Sequence, residues 1–174
     1  MGSNQAQFAF PTANKDLILK LLDLKDSGKI ADEFYARSGQ YVMGDFATGW
    51  TVVLNKEDTF GSKPESLEQI SLQSDFVVGE TLEGAMMSSV SFWSQGQLLW
   101  RVSYEMLELN VEGDPPMLKE LKERALQEGG GEAISESSLF LIPVRLFEGI
   151  TGYNYESMGE PALDQNSTRH LTKL

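Results

Sequence analysis

The strict two-residue alternation between positions 87 and 111 constrains this chain more than any other feature. Ser88, Val90 and Phe92 recur at every second position. After Ser94-Gln95-Gly96 the pattern resumes with Leu98, Trp100, Val102 and Tyr104, while Leu99, Arg101, Ser103 and Glu105 fall in the opposite phase. A period of two belongs to a pleated strand and cannot line one face of a helix. Two such runs joined by a short link containing glycine predict an antiparallel hairpin over residues 87–104. A three-residue link with Gly96 left-handed makes a type I turn plus bulge, pairing Phe92 with Leu98 and Val90 with Trp100. A two-residue link would pair Phe92 with Leu99 and mix the faces, so the first register is expected. Leu107, Leu109 and Val111 continue the alternation, and the Glu105-Met106 junction reads as either a tight turn or a bulge in one bent strand. Thr51 to Leu54 and Asp75 to Val78 are further short β-branched runs.

Helical signals flank these strands. Asn14 can cap a run with Leu17, Ile18, Leu21, Leu22 and Leu24 on one stripe, ended by Ser27-Gly28. Ser62-Lys63-Pro64-Glu65 has capping-box spacing, with Leu67 and Ile70 following on one face. Asp114 and Pro115 open a third helix, in which Met117, Leu121 and Ala125 recur before Gly129 stops it. Gly129-Gly130-Gly131 lacks the Lys-Ser/Thr of a phosphate-binding loop and reads as a spacer. Phe140 to Ile142 reads as extended, and Pro143 starts a fourth short helix carrying Val144, Leu146, Phe147 and Ile150. The expected fold is α+β: an antiparallel sheet around the hairpin of residues 87–104. Helices near 15–25, 63–72 and 115–128, and the short fourth one, pack mainly on one face. Residues 1–13 read as an N-terminal extension, 14–154 as one domain, and 155–174 as a flexible polar tail.

Charge narrows the function classes. Lys and Arg total 14 against 26 Asp and Glu, a formal net charge of -12. Such a surface repels nucleic acid and anionic membranes, both of which need clustered Lys and Arg, and steers a basic protein inward. The absence of cysteine excludes disulfides, thiolate metal sites and cysteine nucleophiles, and fits a reducing compartment. The single histidine, His170, stands in the expected tail, which argues against a Ser–His–Asp triad and a histidine-rich zinc site. Met1 to Gln7 carries neither the basic nor the apolar region of a secretory signal, and the longest apolar run, Leu139 to Val144, is far shorter than the ~20 residues of a membrane span. No cofactor and no metal is expected. The chain reads as cytoplasmic.

Carboxylates are the remaining source of chemistry. Glu80 and Glu83 flank a turn, and Glu105, Glu108 and Glu112 lie along the strand region. Paired carboxylates could run glycoside hydrolysis or hold a hard cation, but in a chain this acidic they also arise as plain solvated surface. Trp93 shares its phase with Met87, Ser89 and Ser91. If that polar face is open, an exposed indole beside Arg101 makes a pair of binding anchors, with Glu105 and Glu108 as rim charges. If a helix covers the face, Trp93 is core.

Four further motifs occur in order: Gly49-Trp50; Trp93-Ser94-Gln95-Gly96-Gln97-Leu98-Leu99-Trp100; Gly113-Asp114-Pro115-Pro116; and Ile142-Pro143-Val144 through Thr151-Gly152-Tyr153. Together they resemble a family of small, uncharacterised bacterial proteins with a W-x-x-G-x-x-x-W hairpin and a late helix ending in Thr-Gly-aromatic. The resemblance implies a bacterial cytosolic, single-domain protein and no established activity. The family's histidines, before the first hairpin strand and at the end of the second, are replaced here by Ala85 or Met86 and by Tyr104. The combined reading is a non-enzymatic binding protein, antidote-like toward a basic protein; many toxin antidotes are small acidic α+β proteins. A carboxylate-based hydrolase or hard-cation enzyme is the alternative, as is a homo-oligomeric protein burying Trp93 at a two-fold interface.

Overall fold

The segment expected to be an N-terminal extension lies at the centre of the sheet. In the computed structural model, which describes residues 4–56, 60, 64–156 and 162–174, Asn4–Pro11 forms strand β1. Eight strands follow: β2 (Leu24–Ile30), β3 (Tyr41–Asp45), β4 (Trp50–Asn55), β5 (Phe76–Leu82), β6 (Met87–Ser94), β7 (Gln97–Glu105), β8 (Glu108–Gly113) and β9 (Arg169–Lys173). They make one antiparallel sheet in the order β2-β9-β3-β4-β1-β5-β6-β7-β8. The α+β class and antiparallel sheet are as expected.

The β1 segment hid from the alternation because both of its faces are buried, and strands covered on both sides lose the polar phase. Ala6, Phe8 and Phe10 enter one core, while Ala9 enters the other. Gln5 and Gln7 are buried but partnered. Gln7 donates to the Gln5 side-chain oxygen (3.3 Å), and the Tyr153 hydroxyl donates to the same atom (3.0 Å). Burial pushes the Tyr153 hydroxyl pKa well above its ordinary value.

Helices α1 (Lys15–Leu21), α2 (Pro64–Ser71), α3 (Leu118–Glu128) and α4 (Glu136–Thr151) divide between the two faces, correcting the expectation of one covered face. Ile18 and Leu19 of α1 and Leu67 and Ile70 of α2 pack with Phe8, Phe76 and Trp93. Ala125 of α3 and Ile142, Leu146 and Phe147 of α4 pack with Val77, Val90, Trp100 and Val102 on the opposite face. The first helix ends earlier than its leucine stripe suggested. Asp23 takes a left-handed φ of 56°, and Leu24 opens β2, in which Gly28 lies within a register shift between Asp26 and Ile30. Asn14 does not cap with its side chain; its Nδ2 donates to Ser74 Oγ at 2.8 Å. The expected cap Ser62 lies outside the described residues.

Two helix boundaries near the late motifs also move. Met117, not Asp114, precedes the first turn of α3, with φ 58°. Helix α4 starts before Pro143 rather than at it, because Ser135 Oγ accepts the Ser138 N–H at 3.2 Å and caps it. Phe140 and Ile142 are therefore helical, and burial of seven residues along α4 outweighs the backbone bond that Pro143 removes. Nor is the end of the chain a free tail. Leu163 bridges to Phe46, Thr168 Oγ1 donates to the Ala31 carbonyl (2.9 Å), and β9 is inserted between β2 and β3.

The hairpin satisfies the face rule by a different route from the one expected. Ser94 pairs with Gln97 around a two-residue turn, Gln95-Gly96, with φ 51° and 77°. Trp93 then pairs with Leu98 and Phe92 with Trp100, leaving Leu99 as a bulge. The extra residue restores Phe92 and Trp100 to one face, their rings stacked at 5.9 Å. Leu98 goes to the other face with Trp93. Between β7 and β8 the junction is a tight turn: Glu105 pairs with Glu108, and Met106 and Leu107 take φ 50° and 68°.

Candidate functional site

The faces of the outer strands are not covered equally. On the face carrying α1 and α2, the helices cover the middle of the sheet but leave most of β6, β7 and β8 open. Pairing places Val78, Ser91, Arg101 and Glu112 in one row across β5 to β8, and Glu80, Ser89, Ser103 and Asn110 in the next. A cleft of about 230 Å³ lies where this open region meets α2. Trp93, Leu98, Val78 and Leu67 give it an apolar side; Glu80, Ser89, Ser91 and Arg101 give it a polar one.

Trp93 is therefore not an exposed anchor, which corrects the first of the site expectations. It is 8% exposed, stacks on Phe76 with ring centroids 6.3 Å apart, and donates its indole N–H to Ser91 Oγ at 3.1 Å. Parity assigned it to the right face; what the alternation could not show is that α2 covers that end. The same burial leaves Trp93 little surface to offer a two-fold interface. Arg101 is exposed at the mouth of the cleft. Glu105 and Glu108 are exposed too, but they face each other across the β7–β8 turn, at the far end of the open region.

Glu80 is the residue that sequence reasoning undervalued. It is half-buried, and desolvation raises its carboxyl pKa, with the Arg101 charge pulling in the opposite direction. Among the described residues neither the Glu80 nor the Arg101 side chain has a hydrogen bond or ion pair: the two feel each other's charge without closing on one another. Its strand position gave no signal, because only the pairing of β5 with β6 and the placement of α2 put it in a cleft. A shallower hollow of about 60 Å³ adjoins the first and shares Glu80, Ser89 and Arg101, with Glu105 on its far side.

His170 is likewise not in a free tail. On β9 it lines a hollow of about 310 Å³ with Asp32, Glu33, Tyr35, Arg37 and Gln40, and the Lys56 ammonium lies over the Tyr35 ring at 4.2 Å. Among the described residues no three His, Asp or Glu side chains converge in a group that could hold a metal ion. No helix there is long and apolar enough to cross a membrane. Comparison with family models, with curated proteins and with solved structures finds no match to this chain.

Proposed function

We propose that this chain is a non-enzymatic protein-binding module that engages a basic protein through the β7–β8 hairpin end and the outer edge of β8. The proposed setting is the bacterial cytosol, with an antidote-like role toward that partner. The observation carrying the reading is the hairpin end itself, where three locally unfavourable choices coincide. Met106 and Leu107 hold left-handed backbones that suit Asn and Gly, they are 92% and 62% exposed, and they separate two glutamates placed opposite one another. Such conflicts between local preference and fold accumulate where a surface serves something other than stability. A basic partner would relieve two of them, by covering the apolar pair and neutralising the carboxylates.

The edge also selects against its own copy. Strand β8 ends the sheet with an unpaired edge among the described strands, and edges of this kind template association. Glu108 and Glu112 on β8 would oppose like charges in antiparallel self-pairing and favour a strand carrying Lys or Arg. Arg101, expected to be an anchor beside Trp93, lies at the cleft mouth opposite Glu112 and is not part of this interface. The hydrolase alternative has one supporting observation, since Glu80 and Glu105 line the same small hollow. At about 60 Å³ that hollow is far smaller than the few hundred Å³ of ordinary ligand pockets.

The test begins with capture of a partner from native lysate, followed by kinetics across a salt series. Met106→Ser with Leu107→Ser should cost about 2 kcal/mol, mainly in off-rate, as loss of an anchor does. Glu105→Gln with Glu108→Gln should slow association and flatten its salt dependence. An acidic partner, or a basic one indifferent to both variants, refutes the reading.

A further inference from the structure

We propose that the cleft between α2 and strands β5–β7 binds a free α-amino acid with an apolar side chain, its ammonium on Glu80 and its carboxylate toward Arg101. A half-buried carboxylate and a guanidinium line one cleft, and neither is satisfied by a protein partner among the described residues. A lone cation would meet Glu80 but be repelled by Arg101; a lone anion would suffer the reverse. A zwitterion satisfies both and leaves the charge of the site unchanged.

The hydroxyls fit the same ligand. Ser91 Oγ already accepts the Trp93 indole N–H, so its own proton is free to be donated to a carboxylate. Ser89, in the same row as Glu80, adds a second half-buried hydroxyl. Opposite them, Trp93, Leu98, Val78 and Leu67 form a wall for an aliphatic or aromatic side chain. A volume of about 230 Å³ leaves room for a molecule the size of leucine. This inference does not rest on the hairpin-end interface, which uses other residues.

The experiment is isothermal titration calorimetry of the full chain with L-leucine, with 3-methylbutylamine as the cation-only probe and with 4-methylpentanoate as the anion-only probe. L-leucine should bind with a Kd of about 10 µM to 1 mM, and either single-charge probe about tenfold more weakly or worse. Because the ligand is net neutral, added salt should change its affinity little. Glu80→Gln and Arg101→Gln should each lower L-leucine affinity about tenfold or more, while Arg101→Lys should keep part of it. A native circular dichroism spectrum and a melting temperature no lower than the wild type's in each variant shows that a lost signal is lost binding. No heat with L-leucine overturns the proposal. So does equal binding of the amine that persists in Arg101→Gln, which would make the cleft a receptor for a single cationic group.

Discussion

Replacing Met106-Leu107 by Asn-Gly should stabilise the protein, and the amount can be worked from the turn. Both residues sit left-handed, with φ 50° and 68°, where a non-glycine residue costs about 1 kcal/mol each. Asn tolerates this region and Gly has no Cβ to clash, so about 2 kcal/mol of strain is released. Against this stand the greater freedom of Gly in the unfolded chain and the small part of Leu107 that is shielded. Together they offset about 1 kcal/mol. Met106, 92% exposed, loses essentially no burial. The net is about 1 kcal/mol, which for a chain of this length raises Tm by about 2–4 °C. Thermal and urea unfolding of the wild type, the Asn-Gly variant and an Ala-Ala control would measure it. Ala-Ala keeps the strained backbone and should gain nothing comparable. An Asn-Gly variant that melts at or below the wild-type temperature would refute the claim that the turn is strained, and would remove the main support for the hairpin end as an interface.

Two other perturbations test the interior and the cleft. Gly79→Ala should destabilise by about 1–3 kcal/mol, because its Cβ would meet Gln7 Oε1 at 2.4 Å and Phe147 Cδ2 at 2.9 Å; a variant with wild-type stability in urea would show that the layer between β1, β5 and α4 yields easily. Glu80→Gln should stabilise at neutral pH. Desolvation raises the folded-state carboxyl pKa above its ordinary 4.5, so the native state holds the proton more tightly than the unfolded one, and stability falls as pH rises from about that value through the raised one. The variant should lack this fall while also losing L-leucine binding, and stability that rises with pH through the same window specifically because of Glu80 would contradict the assignment.

What the sequence disclosed followed from how far apart the interacting residues lie. The hairpin of β6 and β7 was legible because its partners are neighbours in the chain and only one face of each strand carries its apolar phase. Its exact pairing was not, since a bulge at Leu99 with a two-residue turn and a three-residue turn with Gly96 both keep Phe92 with apolar partners. Strands β1 and β9 were illegible for a different reason. Buried on both faces, β1 shows Phe8 and Phe10 beside Gln5 and Gln7, and the glutamines read as surface until Tyr153, far along the chain, is seen to satisfy Gln5. Strand β9 is short and polar, and its place depends on pairing with β2 and β3, over a hundred residues earlier. Pro143 misled because local chemistry places a proline at a helix start, whereas the buried face of α4 retains it inside.

The candidate site follows the same logic. Arg101, Glu105 and Glu108 were identifiable as the open phase of β7 and its continuation, and exposure follows from phase once no helix covers that end. Trp93 shares that phase, yet α2 crosses the sheet at one end of β6 and leaves the other end free. Phase therefore fixes the face, and only the helix position fixes the exposure. That division turns one strand face into two surfaces. Beside α2, partial shelter from water leaves the Glu80 carboxylate without a side-chain partner among the described residues, which suits a small ligand bringing its own opposite charge. At the β7–β8 turn, hydration lowers but does not remove the cost of holding Glu105 and Glu108 side by side and leaves Met106 and Leu107 in contact with water, which suits a large basic partner that buries the apolar pair. The weak coupling expected between an exposed hairpin end and a cleft at the far side of the open region makes the two surfaces separable by mutation.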